Sequence, residues 1–219
     1  MWRICLLAAV LVMLSVSSSE AVLMGQIDDF NDNTTQNWLR GNVALGGPDG
    51  AIDPFLQLNA DGGNAASGKL VTFNQMQWSG DYSAAGVGNL SMFLNNNGSS
   101  DLFVRIAMGD SNAPKAGGTW FASTQAVQLA PGSGWVPATF SLAEADLTKT
   151  QGPLGYNDVI SNVTTLRLLH STGPNAIGGL IPGMLGIDNI TAEPIPEPAA
   201  GCLFLIGIVA AWQCRRGVK

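Results

Sequence analysis

The sequence predicts an all-β chain folded as an antiparallel two-sheet sandwich or jelly roll, and three observations carry that reading. Charged residues make up only 12 % of the 219, whereas glycine alone supplies 27. Exposed helix faces are normally rich in Glu, Lys and Arg, so this composition favours strands and turns. No segment sustains helical periodicity, while short apolar stretches recur with Gly, Pro, Asn or Asp between them, as in sandwiches and barrels.

The elements follow in chain order. Residues 1–21 read as a secretory signal: Arg3 gives a positive start, residues 4–16 are apolar apart from Ser15, and small residues follow. Cleavage after Ala21 fits, as does cleavage after Ser18 or Ser19; an uncleaved anchor is the alternative, for which the apolar run is short. The folded domain then occupies residues 22–193. Its strand candidates are residues 38–45, 54–58, 69–73, 89–94, 101–108, 119–123, 126–129, 135–140, 163–170 and 185–191. Two of them alternate cleanly. Leu90, Met92 and Leu94 oppose Asn89, Ser91 and Phe93, and Leu102, Val104, Ile106 and Met108 oppose Phe103, Arg105 and Ala107. The Asn97-Gly98 step between them accepts positive φ, which predicts a β-hairpin. The best helical candidate is residues 142–147, capped by Ser141 with Glu144 answering three residues on.

Residues 194–219 hold three features in order. Pro196, Glu197 and Pro198 form a box that prolines keep extended. Residues 199–212 form an apolar helix, shorter than the roughly 20 residues of a stable span. Arg215, Arg216 and Lys219 end the chain and would stay cytoplasmic. This order resembles the PEP-CTERM sorting signal of Gram-negative bacteria that make exopolysaccharide. The resemblance implies export by the secretion machinery and an inner-membrane intermediate. It further implies cleavage by an exosortase-type membrane protease, then delivery to the cell surface or extracellular matrix.

Composition narrows the function. A net charge of -6, with no cluster of Lys and Arg along the sequence before residue 215, argues against a nucleic-acid partner. Cys5, Cys202 and Cys214 lie in the terminal segments, so the domain has no disulfide and no thiol nucleophile. His170 is the single histidine, which leaves a Ser-His-Asp triad or a His-rich zinc site without support. Carboxylates are plentiful, but Asp49, Asp53, Asp61 and Asp110 sit beside turn residues. A paired-carboxylate glycosidase would need two of them converging in a cleft.

The domain resembles the galactose-binding-like jelly roll of many carbohydrate-binding modules. The matching pieces are Ile27-Asp28-Asp29-Phe30 with Trp38, Trp78-Ser79-Gly80-Asp81-Tyr82, residues 101–105, 120–123 and 134–140, and Gly186-Ile187-Asp188-Asn189-Ile190. The resemblance implies a non-catalytic domain that associates with exopolysaccharide; a structural envelope protein without a ligand is the alternative. It also implies a structural Ca²⁺ where the first and last strands meet, with Asp28, Asp29 and Asp188 as oxygen ligands. For sugar binding, Phe93, Phe103 and Arg105 share one face of the expected hairpin, and Trp78, Tyr82 and Trp120 are further aromatic candidates.

Overall fold

The computed structural model describes residues 21–194. The signal and sorting residues, among them Pro196, Glu197, Pro198, Arg215 and Arg216, lie outside that range. Among the described residues there are twelve strands: β1 (Ile27–Asp28), β2 (Asn42–Leu45), β3 (Pro54–Asp61), β4 (Val71–Asn74), β5 (Val87–Asn96), β6 (Leu102–Gly109), β7 (Trp120–Ser123), β8 (Val127–Leu129), β9 (Trp135–Ser141), β10 (Leu147–Gln151), β11 (Thr165–His170) and β12 (Pro182–Pro194). One short helix, α1 (Tyr156–Ile160), precedes β11. Among the described residues no helix is long and apolar enough to cross a membrane.

All strand pairings are antiparallel, and they form two six-stranded sheets. The front sheet runs β2-β3-β12-β5-β9, with β1 joining the far end of β12. The back sheet runs β10-β7-β6-β11-β4, with β8 continuing the edge that β7 leaves on β6. This is a jelly-roll sandwich.

Alternation explains the core. Leu56 and Leu58, Leu90, Met92 and Leu94, and Leu185 and Ile187 turn inward from the front sheet, all at most 3 % exposed. Leu102, Val104, Ile106 and Met108 meet them from the back sheet with Leu166 and Leu168. Fully burying such a side chain contributes about 2 kcal/mol, so this double layer is the main stabilising term.

The hairpin expectation fails. β5 and β6 are sequence neighbours but belong to different sheets: β5 pairs with β12 and β9, and β6 pairs with β11, β7 and β8. Alternation reports which residues face the core and says nothing about which strand lies alongside. The Asn-Gly step sits in a loop that crosses from one sheet to the other. Asn96, fully buried, organises that crossing. Its amide donates to the carbonyls of Ser100 (2.8 Å) and Leu129 (2.9 Å), and its Oδ1 accepts the Gly98 N–H (3.0 Å).

The helical expectation for residues 142–147 also fails. Only a 3-10 turn, Glu144–Asp146, forms there, with Ser141 Oγ accepting the Ala143 N–H at 3.2 Å. Leu147 instead opens β10 on the edge of the back sheet.

One end of the sandwich is closed by a buried polar knot. Asp28 Oδ2 accepts the indole N–H of Trp38 (2.7 Å) and of Trp78 (2.6 Å), and the Gln77 amide (3.0 Å). The Tyr82 hydroxyl, also buried, donates to the Trp78 carbonyl at 2.9 Å. Asp28→Ala strands two buried indole N–H groups and should destabilise the domain by about 3 kcal/mol in urea unfolding. The Trp38 indole supplies one of the three bonds to Asp28, so Trp38→Phe should cost less than Asp28→Ala, about 2 kcal/mol from the lost bond and the smaller buried ring.

Candidate functional site

The structure separates the ring-and-arginine patch read from the sequence. Phe93 and Phe103 both point outward, but from opposite sheets, so the sandwich lies between them. Arg105 is 5 % exposed, and its guanidinium is spent on backbone carbonyls. Nε donates to Ser171 O (3.0 Å) and Nη1 to Ser123 O and Thr124 O (both 2.7 Å), which ties two loops to the back sheet. Trp78, Tyr82 and Trp120 are fully buried and present no ring face to solvent. Trp78 and Tyr82 belong to the polar knot; Trp120 lies flat on Gly109 of β6 under loops.

The three aspartates expected to hold Ca²⁺ engage separate partners. Asp28 stands opposite Ile190 and turns into the sandwich end, where Trp38, Trp78 and Gln77 occupy its carboxylate. Asp29 accepts Asn31 N–H (3.1 Å) and the Asn31 amide (3.0 Å) in a local turn. Asp188 pairs in register with Phe93 and turns to the outer side of the front sheet. Among the described residues no group of three or more His, Cys, Asp or Glu side chains gathers to hold a metal ion. The register of β12 shifts between Asp188 and Thr191, with Asn189 at a φ of 52°.

What the structure assembles instead is an aromatic platform on the outer face of the front sheet. Register places Gln57, Gly186, Asn95 and Trp135 in one row across β3, β12, β5 and β9. The next row holds Phe55, Asp188, Phe93 and Pro137, the position of Phe55 following from its step along β3. Trp135 meets Phe55 edge-on, with centroids 5.1 Å apart and planes at 80°. Gly186 makes this approach possible, because a Cβ there would stand 2.8 Å from Trp135 Cη2 and 3.1 Å from Phe55 Cε2. The Trp135 indole N–H is fixed on Gly46 O at 3.0 Å. Phe93 and Trp135 remain half-buried and Pro137 is exposed, so apolar ring surface reaches solvent here.

Two buried acceptors flank Phe93 on this face. Asn95 Oδ1 and Asp188 Oδ1 have no hydrogen-bond partner within the protein. The Asp188 carboxyl is pushed up to about 7, first by burial and then by the charges of Asp53, Asp29 and Asp49. Sequence parity named Phe93 but missed Trp135, Phe55 and Asn95. The signal was present in the alternation of each strand, yet only the pairing order brings those strands together.

No protein-family model matches this sequence, and no curated protein matches it. Solved structures do resemble it. An exo-beta-agarase superposes with a TM-score of 0.54 at 15 % identity, over 79 % of this chain and 26 % of that chain. CtCBM11 superposes with a TM-score of 0.50 at 14 % identity, over 78 % of this chain and 96 % of that chain. A family 11 carbohydrate-binding module from Clostridium thermocellum, solved with a beta-1,3-1,4-mixed-linked tetrasaccharide, gives a TM-score of 0.46 at 14 % identity, over 79 % of this chain and 99 % of that chain. This chain thus spans about a quarter of the agarase and nearly the whole of CtCBM11. The likeness is one of fold.

The Asp188 carboxyl makes stability depend on pH. Its folded pKa lies above the ordinary carboxylate value, so its stabilising share is complete in acid and is lost as pH rises through about 7. Asp188→Asn should therefore melt several degrees above the parent at about pH 8, and level with it near pH 4. A difference of one pKa unit is about 1.4 kcal/mol, which corresponds to roughly 3–5 °C in a domain of this size. Thermal melts of both proteins across that range check the sign.

Proposed function

We propose that this protein is a non-catalytic, polysaccharide-associating component of the bacterial cell surface or extracellular matrix. The observation that carries the reading is the platform on the front sheet. Trp135 and Phe93 offer half-buried ring faces beside exposed Pro137. Sugar rings stack their C–H faces on such aromatics. The fold shared with CtCBM11 over nearly its whole length supports the same reading.

The terminal segments complete the proposal. The secretion machinery exports the chain, and the apolar stretch 199–212 holds it briefly in the inner membrane of a Gram-negative cell. An exosortase-type protease then acts at Pro196-Glu197-Pro198. The intact mass of protein from the cell surface and medium tests this arm. A species starting near residue 22 and ending near 196–199 agrees with it, and one retaining Arg215 and Arg216 refutes it.

Binding is measured by affinity electrophoresis against exopolysaccharide from the producing cells. Trp135→Ala and Phe93→Ala should each weaken retardation about tenfold, the equivalent of ~1.4 kcal/mol. Phe103→Ala, on the opposite sheet, should leave it unchanged. Equal effects of all three substitutions would refute the platform.

A further inference from the structure

The outer face of the back sheet carries a second site of different chemistry. A cavity of about 420 Å³ opens beside β4 and β11. Arg40, Lys69, Lys115 and Arg167 line it together with the apolar Ile177 and Leu180, and no carboxylate does. Residues 22–193 contain six Lys and Arg in all (Arg40, Lys69, Arg105, Lys115, Lys149 and Arg167), so four of the six share one cavity. The whole chain carries -6. Such convergence costs free energy through mutual repulsion unless an anion offsets it. Lys69 registers that cost: its pKa is lowered, first by burial and then by Lys115, Arg167 and Arg40.

Arg167 is the built element of the site. It is 8 % exposed, and its pKa is lowered to about 10, mainly by burial and then by Arg40. Its guanidinium carbon lies 5.6 Å from the centroid of Phe73 and 5.7 Å from that of Trp120. These contacts hold the cation against two aromatic rings. Its Nε–H is buried and has no hydrogen-bond partner in the protein. An in-plane guanidinium edge matches a carboxylate or sulfate, whose oxygens accept charge-assisted bonds. Arg40 is held in place by donating to Ala66 O at 2.7 Å. Leu180, 47 % exposed, adds an apolar wall.

We propose that this cavity binds an oxyanion, a carboxylate or sulfate ester, borne on an acidic polysaccharide. The polysaccharide as bearer rests on the proposed function; the anion site itself rests on the cavity alone. Nucleic acid is the poorer occupant, because phosphate backbones are tracked by extended basic stripes, and these four basic residues converge on one cavity.

The test uses the full chain in mild detergent, in two arms. In the first, sodium glucuronate, a monosaccharide sulfate and glucose are titrated while NMR shifts are followed. In the second, gels contain alginate, dextran sulfate, neutral dextran or a single-stranded oligonucleotide. The proposal expects an acidic sugar to bind and glucose not to. It expects Arg167→Gln and Lys115→Gln each to lose about tenfold in affinity. Binding should weaken as salt rises from about 50 mM to about 500 mM. Lys115 is exposed, so Lys115→Gln keeps the test valid if Arg167→Gln fails to fold. Retardation by neutral polymer alone overturns the anion site and leaves the proposed function standing. Retardation by none of the polymers overturns the anion site and leaves the proposed function to the producing cells' own exopolysaccharide. Unchanged affinity in both variants, or retardation by the oligonucleotide as strong as by alginate, also overturns it.

Discussion

The Asp28 carboxylate is the interaction on which the arrangement of the sandwich end depends. β1 is only two residues long, and backbone bonds of Gly25 and Gln26 to Ala192 extend its hold on β12. Its place is further fixed by Asp28, which draws in indoles from two separate loops and an amide from a third position. Burial pushes the pKa of this carboxyl up, and the three donors pull it back toward the ionised form. A charge-assisted acceptor is worth more than a neutral one, which is why an aspartate stands between two buried tryptophans that would otherwise strand their N–H groups. Trp38 then leads the chain directly to Leu39, which bridges to Phe73, and to Arg40. The knot therefore sets the approach of the first long loop to the back sheet, where the basic cavity forms.

The crossing of the chain from β5 to β6 has the second structural consequence. A hairpin there would have put Phe93, Phe103 and Arg105 on one surface. The crossing puts the two rings on opposite outer faces and frees each face to be assembled from distant strands. On the front sheet that produces an apolar platform with unpartnered acceptors. On the back sheet it produces a covered layer in which Trp120, Leu169, Val71 and Ala176 pack under loops, with Arg167 at its margin. The same alternating strands thus yield an aromatic surface on one side and a cationic one on the other.

Much of the fold was legible in the sequence, because strand existence follows from local alternation and turn residues. Every strand from β2 to β9, and β11 and β12, overlaps a segment recognisable in that way. The elements that escaped are those without a local signature: the two-residue β1, the polar edge strand β10 with its Thr-Lys-Thr-Gln run, and the five-residue α1. The candidate sites were far less legible. Trp78 and Trp120 look like ligand-binding rings in a sequence, since an indole reads the same whether it faces sugar or core. Only the acceptors at Asp28 and Ser111 (3.0 Å from the Trp120 indole nitrogen) reveal their interior roles. The basic cavity was invisible for a different reason: its four cations are scattered from residue 40 to residue 167 and never occur as a run.

That scattering bears on what the net charge of a chain can exclude. A total of -6 governs long-range behaviour and disfavours a polyanion approaching from far away. It does not govern the field inside one cavity, where screening by water is reduced and the nearest charges dominate. Here the acidic groups near Asp188 lie on the front sheet and the cations converge on the back. A linear acidic polymer would meet repulsion over most of the surface and attraction at one place. Such a distribution favours a single, defined point of attachment over diffuse coating, and it separates that point from the aromatic platform by the thickness of the sandwich, about 10 Å between sheets. On the proposed reading, two faces with different chemistry, set back to back, would engage two polysaccharide segments at once, and linked sites raise avidity without any increase in the affinity of either.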